Sequence, residues 1–322
     1  MKTPLQLLYI TLCTVLIFSC KDSPKEAPAK ASAKSDYAWD KNDKMAALLH
    51  NGKVIWKLNF DKGQDKPYFH PLKTPNGHEL TLERPEDHPW HRGLWFSWKD
   101  INGVNYWEED PAKGVAEGRS IIRSINVETH SDFSAKVTFD ISYEENGLPV
   151  ITETRKLLIG SPVEKDQYTI HWDQTFNFLK DVRLYLEKPA KHGGVEWGGY
   201  AGLSFRGSDS LTDQRFLASN GWENTADITG YGEKAQWMDM TAKVVGSDNV
   251  YAGLTIYDSP KNPRYPSPWY VWFAKGVHTF FTPSILFDGP MNFKKGDTLS
   301  LEYLVLVHDG KKTMEQLRSI KP

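Results

Sequence analysis

The chain has almost no cysteine: two in 322 residues, Cys13 and Cys20, both within the first twenty positions. With Cys13 in a segment that reads as removable, no disulfide framework is available, and thiolate catalysis and cysteine-ligated zinc are excluded with it. Any nucleophile, base or ligand is therefore an oxygen or a nitrogen. Charge of one sign is also missing. Formal net charge is −2 and the basic residues are scattered, which excludes the concentrated basic footprint of a nucleic-acid partner. The N-terminal apolar run, residues 5–18, falls short of the roughly 20 residues that span a bilayer. No G-x-G-x-x-G opens a helix and no Walker lysine pattern occurs, so no nucleotide cofactor is expected.

That N-terminal run, in "MKTPLQLLYITLCTVLIFSCKDS", reads as a secretory signal. Its end, "LIFSC", resembles the lipobox of bacterial lipoproteins. The resemblance implies removal of residues 1–19, lipidation of Cys20 and anchoring to the outer membrane in the cell envelope. Residues 20–40 are rich in Ala, Lys, Ser and Pro and bury too little to offset ordering entropy, which makes them a flexible tether. Residues 41–322 are left as a single domain.

Aromatics are plentiful, with 12 Trp, 14 Tyr and 15 Phe. Turn signals recur as well. Asn-Gly pairs at 51–52, 102–103 and 146–147 separate strand-like runs, the strongest short-range hairpin signal. Alternation in "KVTFDISY" puts Val137, Phe139, Ile141 and Tyr143 on one face of a strand and Thr138, Asp140 and Ser142 on the other. Only residues 311–320 read as helix. A dozen or more strands without interleaved helices predict an all-β fold, a large antiparallel β-sandwich or supersandwich with a short C-terminal helix.

Chemistry-bearing residues concentrate in "PEDHPWHRGLW", residues 85–95, and four of the ten histidines (His70, His78, His88, His91) fall between positions 70 and 91. Asp87, His88 and His91 are conceivable metal ligands, but Pro89 breaks any helical pairing and no H-E-x-x-H is present. No metal is assigned. Acid–base work suits the imidazoles, with Arg92 fixing an anion and Tyr68 or His70 supplying a second proton. The plainer alternative is a loop in which His88 bonds a carbonyl and Arg92 pairs with Glu86 or Asp87. Two further regions carry candidate substrate-binding groups. The glycine-rich "PAKHGGVEWGGYAG" holds His192 and Glu196, and the proline-stiffened "SPKNPRYPSPWYVWF" holds Arg264.

These segments, with "KPYFHPLKTPNGHELTLERPEDHPWHRGLWFSWKDINGVNYW" and "LEYLVLVHDG", resemble the PmoA-like family across most of residues 45–310. The resemblance implies a galactose-mutarotase-like β-supersandwich associated with polysaccharide breakdown. Its matching polar positions are His70, Asp87, His88, His91, Arg92 and Arg264. Trp90 stands where that family commonly shows histidine, which removes a ligand and adds, with Trp95, a ring for sugar stacking. The leading expectation is a lyase or dehydratase acting by β-elimination on an acidic, uronate-containing oligosaccharide. Such chemistry needs a cation (Arg92 or Arg264), a base (His88 or His91) and an acid (Tyr68 or His70). Rival readings are a glycosidase using two of Glu83, Glu86, Asp87, Glu108, Glu109 and Glu196, an epimerase or mutarotase using a histidine and a glutamate, and a non-catalytic glycan-binding lipoprotein.

Overall fold

The computed structural model describes Met1 and residues 36–110, 112–163 and 165–321. Cys20 and the segment expected to be a signal lie outside the described residues. The described residues from Asp36 onward form one compact unit. Its first described strand, Tyr37–Lys41, pairs antiparallel with Met45–His50.

All three Asn-Gly pairs close hairpins. Asn51 and Gly52, Asn102 and Gly103, and Asn146 and Gly147 each adopt positive φ at both positions. The type I′ turn demands that pair of angles, and its twist matches that of the flanking strands.

The strands assemble into two nine-stranded sheets and one of four strands. The first large sheet runs from Tyr37–Lys41 through Met45–His50, Lys53–Asn59, Tyr68–Leu72, Leu94–Ser97, Gly202–Arg206, His278–Pro283 and Trp269–Ala274 to Ile228–Thr229. The second is built mainly from long strands, among them Arg119–Thr129, Ala135–Glu145, Leu148–Ile159, Gln167–Phe178 and Thr298–Asp309. Period-two alternation gives the second sheet an inner face. Val137, Phe139, Ile141 and Tyr143 are all buried, while Asp140 is exposed. Rings from the two sheets meet in the core: Phe60 lies 6.2 Å from Phe139, Phe69 6.1 Å from Trp172 and Phe96 5.7 Å from Phe176, centroid to centroid. This is the expected antiparallel β-sandwich. The helix is shorter than its sequence pattern, Met314–Ser319. Thr313 caps it in a box with Gln316, and Leu317 is buried against Trp237 and Tyr257.

The functional region grows from the opposite face of the first sheet. Strands Trp269–Ala274 and His278–Pro283 pair with Trp272 opposite Phe280 and Ala274 opposite His278. Tyr270, Trp272, His278 and Phe280 therefore share one face, while Trp269, Val271, Phe273 and Phe281 point into the sandwich core. Tyr68 sits opposite Trp95 on adjacent strands. With Trp107, Ala201, Tyr270, Phe280 and Phe287 they form a second apolar cluster outside the main core.

Candidate functional site

Residues 85–91 are folded tightly on that cluster. The N–H of His88 donates to the Pro85 carbonyl at 3.1 Å, that of His91 to the His88 carbonyl at 2.9 Å, and that of Arg84 to the His91 carbonyl at 2.9 Å. Two consecutive turns, with Pro85 and Pro89 restraining φ, bring the rings of His88 and His91 into a stack with centroids 4.6 Å apart. Both imidazoles line a cleft of about 340 Å³, whose remaining walls are Trp90, Glu108, Trp197, Tyr200, Tyr270, Trp272 and Phe280. The indoles of Trp90 and Trp272 meet the His88 ring edge-on at 5.5 and 5.4 Å.

Behind His88 lies a carboxylate shared among three partners. Asp87 Oδ2 is 2.9 Å from His88 Nδ1, in an ion-pair contact out of line for a hydrogen bond. It is also 2.9 Å from His278 Nδ1, and Arg206 Nη2 donates to both Asp87 oxygens at 3.0 and 2.9 Å. Burial alone would raise the Asp87 carboxyl. His88, Arg206 and His278 outweigh it and hold the group well below the usual carboxylate range. His278 is pushed down to about 3 by burial and by the Arg206 guanidinium. His91 is depressed in the same direction by burial and its cationic surroundings, and its Nδ1 has no hydrogen-bond partner. His91 and His278 are thus neutral at neutral pH. Asp87, His88 and His278 are the one group of described residues whose ligand atoms converge within 4.8 Å. Because Arg206 already holds both oxygens of the single carboxylate, that donor set suits a cation-bridged network better than a resident dication.

The other polar wall is Glu108. Its Oε1 accepts from the Tyr200 hydroxyl at 2.8 Å, and its Oε2 accepts from Asn105 Nδ2 at 2.7 Å and from Lys99 Nζ. Burial opposes ionisation, but Lys99 and the two neutral donors prevail and lower the pKa, so Glu108 is a carboxylate. Burial and Glu108 raise Tyr200 far above the usual phenol range, which keeps it a donor.

Of the residues singled out in the sequence, His88, His91, Trp90 and Glu108 line the cleft. The others are engaged elsewhere. Tyr68 is buried and donates to Glu83 Oε1 at 2.5 Å, and Trp95 is buried 5.2 Å from His91, behind the cleft wall. Arg92 pairs with neither Glu86 nor Asp87. It is buried against Glu109, a carboxylate also approached by Arg84 at 3.2 Å and Lys66 at 3.9 Å. His70 Nδ1 is 3.0 Å from Thr81 Oγ1. Arg264 donates to the carbonyls of Ile285, Gly289 and Pro290. His192 pairs with Asp288 at 3.2 Å and lines a different hollow, and Glu196 is exposed outside the cleft lining. Sequence reasoning passed over Arg206, Tyr200 and His278, and had no partner for Glu108. The usable signal was the "WYVWF" alternation, whose second face becomes meaningful once "HTFFTP" is paired with it.

Several solved structures align with this chain at low identity and low TM-score. The GH36 alpha-galactosidase AgaB of Geobacillus stearothermophilus aligns with TM-score 0.38 and 10% identity over 87% of this chain and 40% of its own. A galactose mutarotase related enzyme of Lactobacillus acidophilus aligns with TM-score 0.33 and 10% identity over 84% of this chain and 97% of its own. A heparan sulfate lyase HepC mutant of Pedobacter heparinus aligns with TM-score 0.34 and 9% identity over 87% and 36%. The chain spans about two-fifths of the alpha-galactosidase's length. Comparison with curated protein sequences gives no match. The model of the "Family of unknown function (DUF6807)" matches residues 45–320, and the chain belongs to that family.

Proposed function

We propose that the protein is a carbohydrate-active enzyme that transfers protons on a neutral sugar ring, in the manner of an epimerase or mutarotase, with His88 and Glu108 as the exchanging groups. The observation that carries this reading is that an imidazole backed by a carboxylate and a second, ionised carboxylate line one aromatic-walled cleft. Asp87 Oδ2 lies 2.9 Å from Nδ1, which leaves Nε2 as the nitrogen not engaged by the carboxylate. Glu108 accepts a proton or a hydroxyl hydrogen bond, and Tyr200 steadies the anion. Apolar walls with a few convergent polar groups are the usual composition of a small-molecule site, and the flat faces of Trp90 and Trp272 suit the C–H faces of a pyranose. The lipid anchor on Cys20 and a place in the cell envelope belong to the same reading, supported by the "LIFSC" segment.

Two other readings fit the cleft less well. β-Elimination from a uronate requires a cation to neutralise the substrate carboxylate. Arg92 is spent on Glu109 and Arg264 on backbone carbonyls, while Glu108 would repel the substrate. Hydrolysis by paired carboxylates needs two acids flanking one bond, and among the described residues Glu108 is the one acid lining the cleft. No described helix is long and apolar enough to cross a membrane.

Anomer interconversion and epimerisation of neutral reducing sugars and oligosaccharides, followed by NMR, test the proposal. His88→Ala is expected to lower kcat about 10²–10⁴-fold, the usual contribution of a positioned acid or base, with affinity little changed. Unsaturated uronate formed from acidic oligosaccharides would overturn the neutral-sugar reading. Saccharide binding without turnover on any sugar would leave a binding protein.

A further inference from the structure

We infer that the cleft is the inner half of a longer site and that Trp197, at its mouth, is the platform for a second saccharide unit, so that the substrate is a neutral reducing oligosaccharide of at least two units. This rests on the sugar reading above and specifies its substrate class. All twelve tryptophans fall among the described residues, and Trp197 alone is exposed, at 44%. An indole left in water forgoes a large burial gain. The segment carrying it is tightly tied. The Val195 N–H donates to the Lys188 carbonyl at 2.9 Å, that of Gly194 to Pro189 at 3.0 Å and that of Gly198 to Val195 at 3.1 Å. The Tyr270 hydroxyl donates to the Trp197 carbonyl at 3.1 Å. A Cβ at Gly194 would come 1.7 Å from the Lys188 carbonyl oxygen, so the turn closes only with glycine there. The ring is thus held out by a rigid turn, and its anchor, Tyr270, is itself a wall of the cleft.

Continuity with the interior identifies the occupant. Trp197 lines the same cleft as His88 and Glu108. Its ring lies 6.4 Å from Tyr200, Tyr200 lies 5.2 Å from Trp107, and Trp107 lies 6.1 Å from His91. Aromatic contacts therefore link Trp197 to the imidazoles, through the buried Trp107 behind the cleft wall. The enclosed volume is at the small end of the roughly 300–1,000 Å³ typical of ligand pockets, which suits one pyranose inside and leaves a second unit to meet the rim. The lining residues carry no guanidinium or ammonium, so the chain of sugars is uncharged.

The test is calorimetric titration of the full chain with glucose, galactose and the neutral gluco- and galacto-oligosaccharides of two to five units. Affinity is expected to rise at least tenfold from one unit to two. Trp197→Ala is expected to lower affinity for the two-unit sugar at least fivefold more than affinity for the one-unit sugar, and Trp197→Phe restores part of the difference. Circular dichroism confirms that the variants are folded. The inference is overturned by equal losses for one and two units, by no gain from the second unit in the parent protein, or by an absence of binding to every neutral saccharide. Length dependence that survives Trp197→Ala, alongside His88→Ala still abolishing turnover, sinks the rim platform and spares the proposed function. Turnover unaffected by His88→Ala sinks the latter.

Discussion

His88 and Arg92 are four positions apart in one compact segment, yet their side chains serve different ends. His88 faces the cleft with Asp87 behind it. Arg92 is 1% exposed and neutralises Glu109, with Lys66 and Arg84 gathered on the same carboxylate. Removing one partner of a buried pair leaves an uncompensated charge, at about 3–5 kcal/mol. Arg92→Met is accordingly expected to cost about 3 kcal/mol, the low end, because Lys66 and Arg84 remain near Glu109. Urea denaturation measures that cost, and the affinity of the folded fraction for saccharide should be unchanged. A stable Arg92→Met protein that has lost binding would return Arg92 to the site. Sequence showed that these residues could carry chemistry, since histidine, carboxylate and tryptophan crowd residues 85–95. It could not show which of them face a ligand. A guanidinium is equally suited to an internal carboxylate, and the partner, Glu109, is fixed only when the chain folds back. Arg206 and His278 stayed hidden for the same reason, being 119 and 191 positions from Asp87.

Along the strands, the side-chain period of two divides core from site. In Trp269–Ala274, Phe273 enters the sandwich core and is 1% exposed, whereas its neighbour Trp272 stacks on His278 at 4.6 Å and lines the cleft. Phe273→Ala should therefore cost about 3–5 kcal/mol, as large-to-small core substitutions do, with saccharide affinity retained at temperatures where the protein stays folded. Trp272→Ala should invert the pattern, losing affinity for less than half that loss of stability. Denaturation midpoints and titration calorimetry on the two variants decide the matter, and matching profiles would mean that the face assignment is wrong. This scale was the most legible in the sequence. Asn-Gly hairpins and alternation depend on angles and periods that neighbouring residues set among themselves. Strand order did not emerge that way. Gly202–Arg206 lies between Leu94–Ser97 and His278–Pro283, a pairing fixed by burial across the whole domain, and without it the cleft could not be assembled from the sequence.

At the scale of the molecule, burying uncharged imidazoles makes stability depend on pH in a calculable direction. His278 has an ordinary value of 6.5 and a folded value of about 3. Between those limits the unfolded chain binds a proton that the folded protein refuses, so its contribution to stability is complete above about pH 6.5 and is lost as pH falls toward 3. His91 acts in the same direction. Asp87 and Glu108, both depressed, add losses that begin only below their ordinary 3.8 and 4.5. Asp100, raised to about 6, works the other way, since the folded protein takes up its proton first and gains stability as pH falls through 6. Because these contributions overlap, the informative quantity is a difference between two proteins. Unfolding free energies of the parent and of His278→Gln, measured by urea titration from pH 8 to pH 3.5, should run parallel above pH 7 and converge below about 6.5, with the parent losing stability faster on acidification. Curves that stay parallel to pH 3.5 would show that His278 takes up its proton within the fold, and the Asp87 cluster would then be a set of charged partners around one carboxylate instead of a neutral imidazole wedged beside Arg206.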